Sequence, residues 1–160
     1  MFETRNDLSG DTRTKAIRLL NARLADVIDL GLQAKHAHWN VKGPHFIALH
    51  ELFDRLAEEI AEHADTIAER VTALGGTAGG TLGVVARVTS LPAYPEGICA
   101  GLAHVEALAG AVADFGRKVR AAIDEAQGFG DADTADLFTE VSRETDKQLW
   151  FLEAHLHAER

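Results

Sequence analysis

Two pairs of metal-binding side chains, each spaced four residues apart, lie in one stretch of the chain. His50 and Asp54 form the first pair, and Asp65 and Glu69 form the second. In a helix, residues four apart project from neighbouring turns of one face, so each pair can present two donors to one metal ion. A single acidic pair at this spacing is usually a solvated helix surface. Two aligned pairs favour a metal site.

The separation of the two pairs excludes an ion shared between them within one chain. Asp54 and Asp65 are about 16.5 Å apart along a straight helix, whereas metal–ligand bonds are about 2 to 2.2 Å long. An antiparallel copy of the same helix would bring Asp65 and Glu69 opposite His50 and Asp54, as in a two-fold dimer. The four side chains also lie about 130° from the apolar stripe of their helix, outside the bundle core. We therefore expect a metal site at a dimer interface.

The donor types narrow the choice of metal. Imidazole and carboxylates without thiolate suit iron or zinc. The Glu-x-x-His motif of a site inside a helical bundle is absent. Residues 50–54 (HELFD) approach the H-E-x-x-H motif of zinc proteases, but Asp54 replaces its final histidine. A simpler alternative stays open, in which the carboxylates are solvated and the chain binds no metal.

Four long amphipathic helices must position these residues. Apolar side chains recur every three or four positions, and no segment shows the alternation of a strand. Gly43 and Pro44 break the first pattern. The spacing predicts long helices over about 12–40, 46–74, 102–127 and from Asp131 or Asp133 onward, with a short helix at 82–88. The expected fold is all-α, a ferritin-like four-helix bundle with one long connection between the second and third long helices.

Composition limits the classes of partner. The 160 residues fit one domain, which we place at 11–160 after a short polar arm at 1–10. Sixteen basic against 25 acidic residues give a formal charge of −9, which disfavours nucleic acid and anionic membranes as main partners. The single cysteine, Cys99, cannot form an intramolecular disulfide. With no apolar leader or membrane span in the sequence, we expect a soluble cytoplasmic protein.

Several blocks of the sequence, in order, resemble the signature of the Dps (DNA-protection-during-starvation) mini-ferritins of the ferritin-like superfamily. The resemblance covers essentially the whole chain beyond the arm. The blocks are residues 35–43 (KHAHWNVKG), 46–54 (FIALHELFD), 65–70 (DTIAER), 133–136 (DTAD) and 146–153 (DKQLWFLE).

The resemblance implies a ferroxidase and an iron store. It matches His38, His50 and Asp54 to iron ligands from one subunit, and Asp65 and Glu69 to ligands from its dimer mate. Each shared site would hold two irons, and zinc could substitute. The family further implies a homododecamer built from two-fold dimers, in which Fe(II) is oxidised preferentially by hydrogen peroxide. The ferric oxide is stored inside, and DNA is thereby protected from oxidative damage.

Three aromatic residues have a structural and a functional interpretation. His38 continues the apolar stripe of its helix, so pattern alone also allows a buried core histidine. Trp39 and Trp150 would usually be core aromatics. The resemblance instead makes His38 a ligand and places both tryptophans near the site, where they would intercept stray oxidising equivalents.

An acidic group precedes and begins the last helix. Capping and interaction with the helix dipole explain one or two of Asp131, Asp133 and Asp136. The resemblance implies that this region lines three-fold pores, where carboxylates would attract Fe(II). The two roles are compatible.

The amino-terminal arm departs from the family pattern. It holds Arg5 against Glu3 and Asp7, without the lysine-rich extension that binds DNA in many members. This composition argues against direct DNA binding. The alternative function is nevertheless a nucleoid-associated, DNA-packing protein in which the shell matters more than oxidation.

Overall fold

Five helices make up the computed structural model, which describes residues 1–157. The helices are α1 (Gly10–Asn40), α2 (Phe46–Ala73), α3 (Leu82–Val88), α4 (Gly101–Gly128) and α5 (Ala132–Leu156). The four long helices form the bundle, and α3 lies in the connection between α2 and α4, so the predicted all-α architecture is confirmed. The predicted domain end at residue 160 lies outside the described residues. No helix within residues 1–157 has the length and apolar character needed to cross a membrane.

Local capping explains where α1 begins and ends. The Ser9 hydroxyl accepts a hydrogen bond from the Thr12 amide at 3.1 Å, so α1 starts at Gly10, slightly before the predicted Thr12. At the other end, Gly43 has a φ of 116°, a conformation that favours glycine. The chain reverses there and enters α2 at Phe46.

The core lies between two helical hairpins, α1 with α2 and α4 with α5. Phe53, Phe115 and Phe138 are among its largest fully buried side chains. The predicted stripes are right along most of their length. They are wrong at two helix starts, where Phe46 and Leu102, the first apolar residues of their predicted stripes, are 39% and 40% exposed.

The buried face of α5 differs from its predicted aliphatic stripe. Phe138, Val141 and Leu152 face the core, whereas Leu137 and Leu149 are only partly buried. The buried row also includes four polar residues, Thr134, Ser142, Thr145 and Gln148. Because these side chains are polar, a pattern based on apolar residues alone leaves them out and misplaces the buried face of α5.

Buried polar side chains of α1 hold the long connection against the bundle. Asp26 is fully buried, pairs with Arg23 at 2.9 Å and accepts hydrogen bonds from the Ser90 amide and hydroxyl at 2.7 and 3.0 Å. One turn further, Asp29 accepts from the Thr89 hydroxyl at 2.7 Å. Gln33 then donates to the Pro92 carbonyl at 3.1 Å. These bonds fix the path of residues 89–92 along α1.

Asp131 fixes the start of α5 to the end of α2. It is 1% exposed and accepts from the Thr134 amide at 3.0 Å and from Arg70 Nη2 at 2.8 Å. Asp131 is therefore a buried helix cap, and not a solvent-facing pore carboxylate. Asp133 and Asp136 are exposed.

We expect Asp131→Ala to lower the free energy of unfolding by about 2–4 kcal/mol, because it removes the cap and the partner of a mostly buried guanidinium. Asp133→Ala is the matched control, since its carboxylate is 3.8 Å from the same Arg70 but its side chain is 85% exposed. Chemical denaturation at equal protein concentration measures both. Equal losses in the two variants would contradict the assigned role of Asp131.

Candidate metal centre

Two histidines face each other across the α1–α2 turn. The rings of His38 and His50 are stacked, with centroids 3.7 Å apart and planes 21° from parallel. Nδ1 of His38 lies 2.8 Å from the His50 carbonyl oxygen, and Nδ1 of His50 lies 2.8 Å from the His38 carbonyl oxygen. A carbonyl only accepts, so each Nδ1 carries a hydrogen and donates it. In the neutral rings, both Nε2 atoms then keep a lone pair for a metal ion.

The end of α1 supplies one of these acceptors. The Lys42 amide, which would continue the helical ladder to the His38 carbonyl, instead donates to the Cys99 carbonyl at 2.9 Å. The His38 carbonyl is consequently one of the unpaired acceptors that every helix leaves at its carboxyl end. The imidazole of His50 satisfies it, which orients that ring at the same time.

Asp54 lies one turn beyond His50. We call His38, His50 and Asp54 together the half-site. Its side chain is 38% exposed, and Oδ1 is 2.5 Å from Lys35 Nζ and 3.9 Å from His38 Nδ1. The hydrogen bond from Lys35 is the main cause that lowers the pKa of Asp54, with smaller contributions from His38 and His50, while burial opposes the shift. The carboxylate is therefore ionised at neutral pH and already holds a cation.

Asp65 and Glu69 are exposed on the same helix and do not join this group. Neither carboxylate forms an ion pair with another residue in the described chain. In residues 1–157, no three histidine, cysteine, aspartate or glutamate side chains converge closely enough to hold a metal. The structure places three of the five predicted ligands near one another at the α1–α2 turn, without converging on one metal position, and leaves Asp65 and Glu69 apart.

The tryptophans are not core residues in this chain. Trp39 is 66% exposed and Trp150 is 63% exposed, so the structural interpretation is wrong for both. Trp39 directly follows His38 and is the second-to-last residue of α1. Trp150 packs against the neighbouring Phe151 ring, with centroids 4.9 Å apart.

Sequence reasoning assigned no role to Lys35, although it contacts the half-site. Lys35 precedes His38 by one turn of α1 and reaches Asp54 on α2. Its position before two histidines was visible in the sequence. Its pairing with Asp54 depends on how α1 and α2 fold against each other, which local spacing does not reveal.

The chain is similar to known proteins over nearly its whole length. A family model described as a ferritin-like domain matches residues 17–160. The chain is 49% identical over 154 residues to the DNA protection during starvation protein of Agrobacterium fabrum, covering 96% of this chain and 95% of that one. It is also similar to the solved structure of Dps from Mycobacterium smegmatis, with a TM-score of 0.93, 31% identity and coverage of 99% and 90% of the two chains.

A second solved structure is that of Dps from Microbacterium arborescens in its high iron form. The match has a TM-score of 0.86 and 33% identity, and it covers 92% of this chain and 96% of that chain. These similarities extend over nearly the whole bundle, including both helices of the half-site.

In iron-free protein, we expect Lys35→Ala to raise the pKa of Asp54 toward the ordinary aspartate value, because the main cause of its lowering is removed. Carboxyl ¹³C NMR titration of selectively labelled protein measures this pKa. Lys42→Ala is the control, since Lys42 is an exposed lysine near the same turn. An unchanged Asp54 titration in Lys35→Ala would show that the ion pair does not set the charge of the site.

Proposed function

Since this chain belongs to the Dps family of ferritin-like proteins, we propose that it oxidises Fe(II) with hydrogen peroxide at sites shared by two subunits. The ferric product is stored inside a dodecamer, and DNA is protected because both reactants are removed. The observation that carries this proposal is the reciprocal bonding of His38 and His50, which occupies both Nδ1 atoms and leaves both Nε2 lone pairs for a metal, in a pair of rings whose His38 Nδ1 is 3.9 Å from Asp54 Oδ1.

The side chains suit iron that changes oxidation state. Neutral imidazoles bind Fe(II), and carboxylates favour the more highly charged Fe(III). Two Fe(II) ions supply the two electrons that convert one hydrogen peroxide and two protons into two waters. This two-electron reduction avoids the one-electron reduction of peroxide by a single Fe(II), which produces a hydroxyl radical and hydroxide. When Fe(II) binds Asp54, it competes with Lys35, whose ammonium group can move to solvent because its side chain is 36% exposed.

A second subunit would complete the site. Asp65 and Glu69 are exposed and available to a partner. An apolar groove of about 260 Å³ runs between α1 and α2 beside Lys35 and is open to solvent in one chain. The groove is lined by Val27, Ile28, Leu32, Ala57, Ala61 and Ala64. Burying this surface would favour an α2-to-α2 dimer, the arrangement that brings the two carboxylates of the partner to the half-site.

The amino-terminal arm, residues 1–10, gives little support to the alternative function of a DNA-packing shell. The Phe2 amide donates to the Gly75 carbonyl at 2.7 Å, so the arm folds back onto the end of α2. Its charged residues are Glu3, Arg5 and Asp7, which give no excess of positive charge. The proposed protection of DNA is therefore chemical, through the consumption of Fe(II) and peroxide.

We expect Asp54→Ala and Asp65→Ala shells each to lose peroxide-driven iron oxidation, and shells mixed from both variants to recover it in part. In a heterodimer of the two, one of the two shared sites contains all its ligands. Random mixing in equal amounts therefore leaves about one quarter of the sites intact. Stopped-flow absorbance of ferric product measures the rate, and native mass spectrometry verifies the mixing.

The matched control is a mixture of His50→Ala with Asp54→Ala. Both changes lie in the same half-site, so no combination of these subunits restores a complete site. Equal recovery in the two mixtures, or no recovery in verified Asp54→Ala with Asp65→Ala shells, would contradict a shared site. Anaerobic titration with Fe(II) tests the remaining alternative, because solvated carboxylates without a site would show no saturable binding.

We expect the purified protein to leave DNA mobility unchanged in a gel-shift assay at about 50 mM salt, where electrostatic binding is strongest. The same sample should protect plasmid DNA from Fe(II) and peroxide. A variant with a lysine-rich segment added before residue 1 is the positive control for retardation. Retardation by the unmodified protein would favour the packing function.

A further inference from the structure

We propose that Tyr94 and His104 form a redox-active pair, separate from the iron ligands. In this pair Tyr94 gives one electron to a strong one-electron oxidant and its phenolic proton to Nδ1 of His104. The natural source of such an oxidant is a hydroxyl radical, formed when a single Fe(II) reduces peroxide without a second iron beside it, and this source rests on the proposed function. The chemistry of the pair itself does not.

The two side chains are held in direct contact. The Tyr94 hydroxyl is 2.7 Å from His104 Nδ1, and the two rings are stacked with centroids 6.0 Å apart. His104 is fully buried in α4, and Tyr94 is half-buried in the connection that precedes it. Tyr94 is also the only tyrosine in the chain. Any tyrosyl radical in this protein can therefore be assigned to one residue.

Before oxidation, the shared proton belongs to the Tyr94 hydroxyl and not to His104. Burial raises the pKa of Tyr94 to about 12, so the phenol is protonated at neutral pH. Burial is also the main cause that lowers the pKa of His104, with a smaller contribution from His36, so the imidazole is neutral. The Tyr94 hydroxyl has no other acceptor in residues 1–157. We therefore assign the hydroxyl as donor and Nδ1 as acceptor.

The same surroundings favour transfer of that proton on oxidation. A phenol that loses an electron becomes a strong acid, and an unneutralised cation is costly in a buried site. The oxidised phenol is a far stronger acid than an imidazolium, so Nδ1 of His104 at hydrogen-bond distance accepts the proton: the O–H bond breaks and an N–H bond forms as the electron leaves, and the positive charge passes to the imidazole. The products are a neutral tyrosyl radical and an imidazolium, and a hydroxyl radical that takes the electron becomes hydroxide. A backbone hydrogen bond with Ile98 favours the protonated form of His104, because it raises the pKa of that ring against the larger effect of burial.

The pair lies next to the half-site without belonging to it. The His104 ring is 6.3 Å from the ring of Phe53, the residue before Asp54. The Tyr94 ring meets His36, two residues before His38, edge-on at 5.2 Å. By contrast, Trp39 and Trp150 are exposed, and neither indole donates a hydrogen bond to a base in the described residues. Tyr94 is thus the nearby aromatic residue with a built-in proton acceptor.

The test uses iron-free assembled protein and a light-generated ruthenium(III) polypyridyl complex as the one-electron oxidant. To remove competing indoles, Trp39→Phe/Trp150→Phe is the background for every variant. We expect a tyrosyl signal in electron paramagnetic resonance spectra, none in Tyr94→Phe, and loss of most of it in His104→Gln. His36→Gln is the matched control and should keep the signal, because His36 contacts the same ring without a hydrogen bond to its hydroxyl.

A second measurement needs no change at His104. Formation of the radical in the background protein should be slower in D₂O than in H₂O, since proton and electron leave together. Full signal in folded His104→Gln, or equal rates in the two solvents, would overturn the proposal. A tyrosyl signal with the ruthenium oxidant, in a protein that fails to oxidise Fe(II) with peroxide, would support the pair and contradict the proposed function instead.

Discussion

The reciprocal hydrogen bonds between His38 and His50 are the constraint on which the candidate site depends. Each imidazole donates a hydrogen bond to the main-chain carbonyl of the other histidine, so these bonds join α1 to α2 at His38 and His50. The interaction satisfies a helix-end carbonyl and selects one tautomer for both rings. The same hydrogen bonds therefore stabilise the turn and orient the two imidazoles proposed as ligands, so a change that loosens the turn would also disturb the orientation of both rings.

Most of the fold and part of the site could be predicted from the sequence. The four long helices and the short helix at Leu82–Val88 follow from apolar spacing and from glycine and proline breaks. The buried face of α5 did not follow, because Thr134, Thr145 and Gln148 occupy core positions whose polar groups form bonds within the fold or with neighbouring side chains. The spacing of apolar residues shows which positions of one helix are apolar. Which positions are buried depends also on how the other helices pack against it.

The same distinction applies to the site. Spacing alone predicted the pairs His50 with Asp54 and Asp65 with Glu69, since each pair lies within one helix. Pattern alone left His38 undecided, and Lys35 and the Tyr94–His104 pair depend on contacts between segments distant in sequence. Whether the two halves meet depends on a second chain, which no single-chain geometry contains.

The anchored connection between α2 and α4 has a consequence for how this bundle tolerates change. Residues 89–92 are tied to successive turns of α1 through Asp26, Asp29 and Gln33. Loop length by itself costs little free energy, but an insertion within this tied segment would shift Tyr94 away from His104 and leave a buried carboxylate without its partners. Related chains should therefore keep a constant length over residues 89–92, where the side chains of α1 fix the register of the connection.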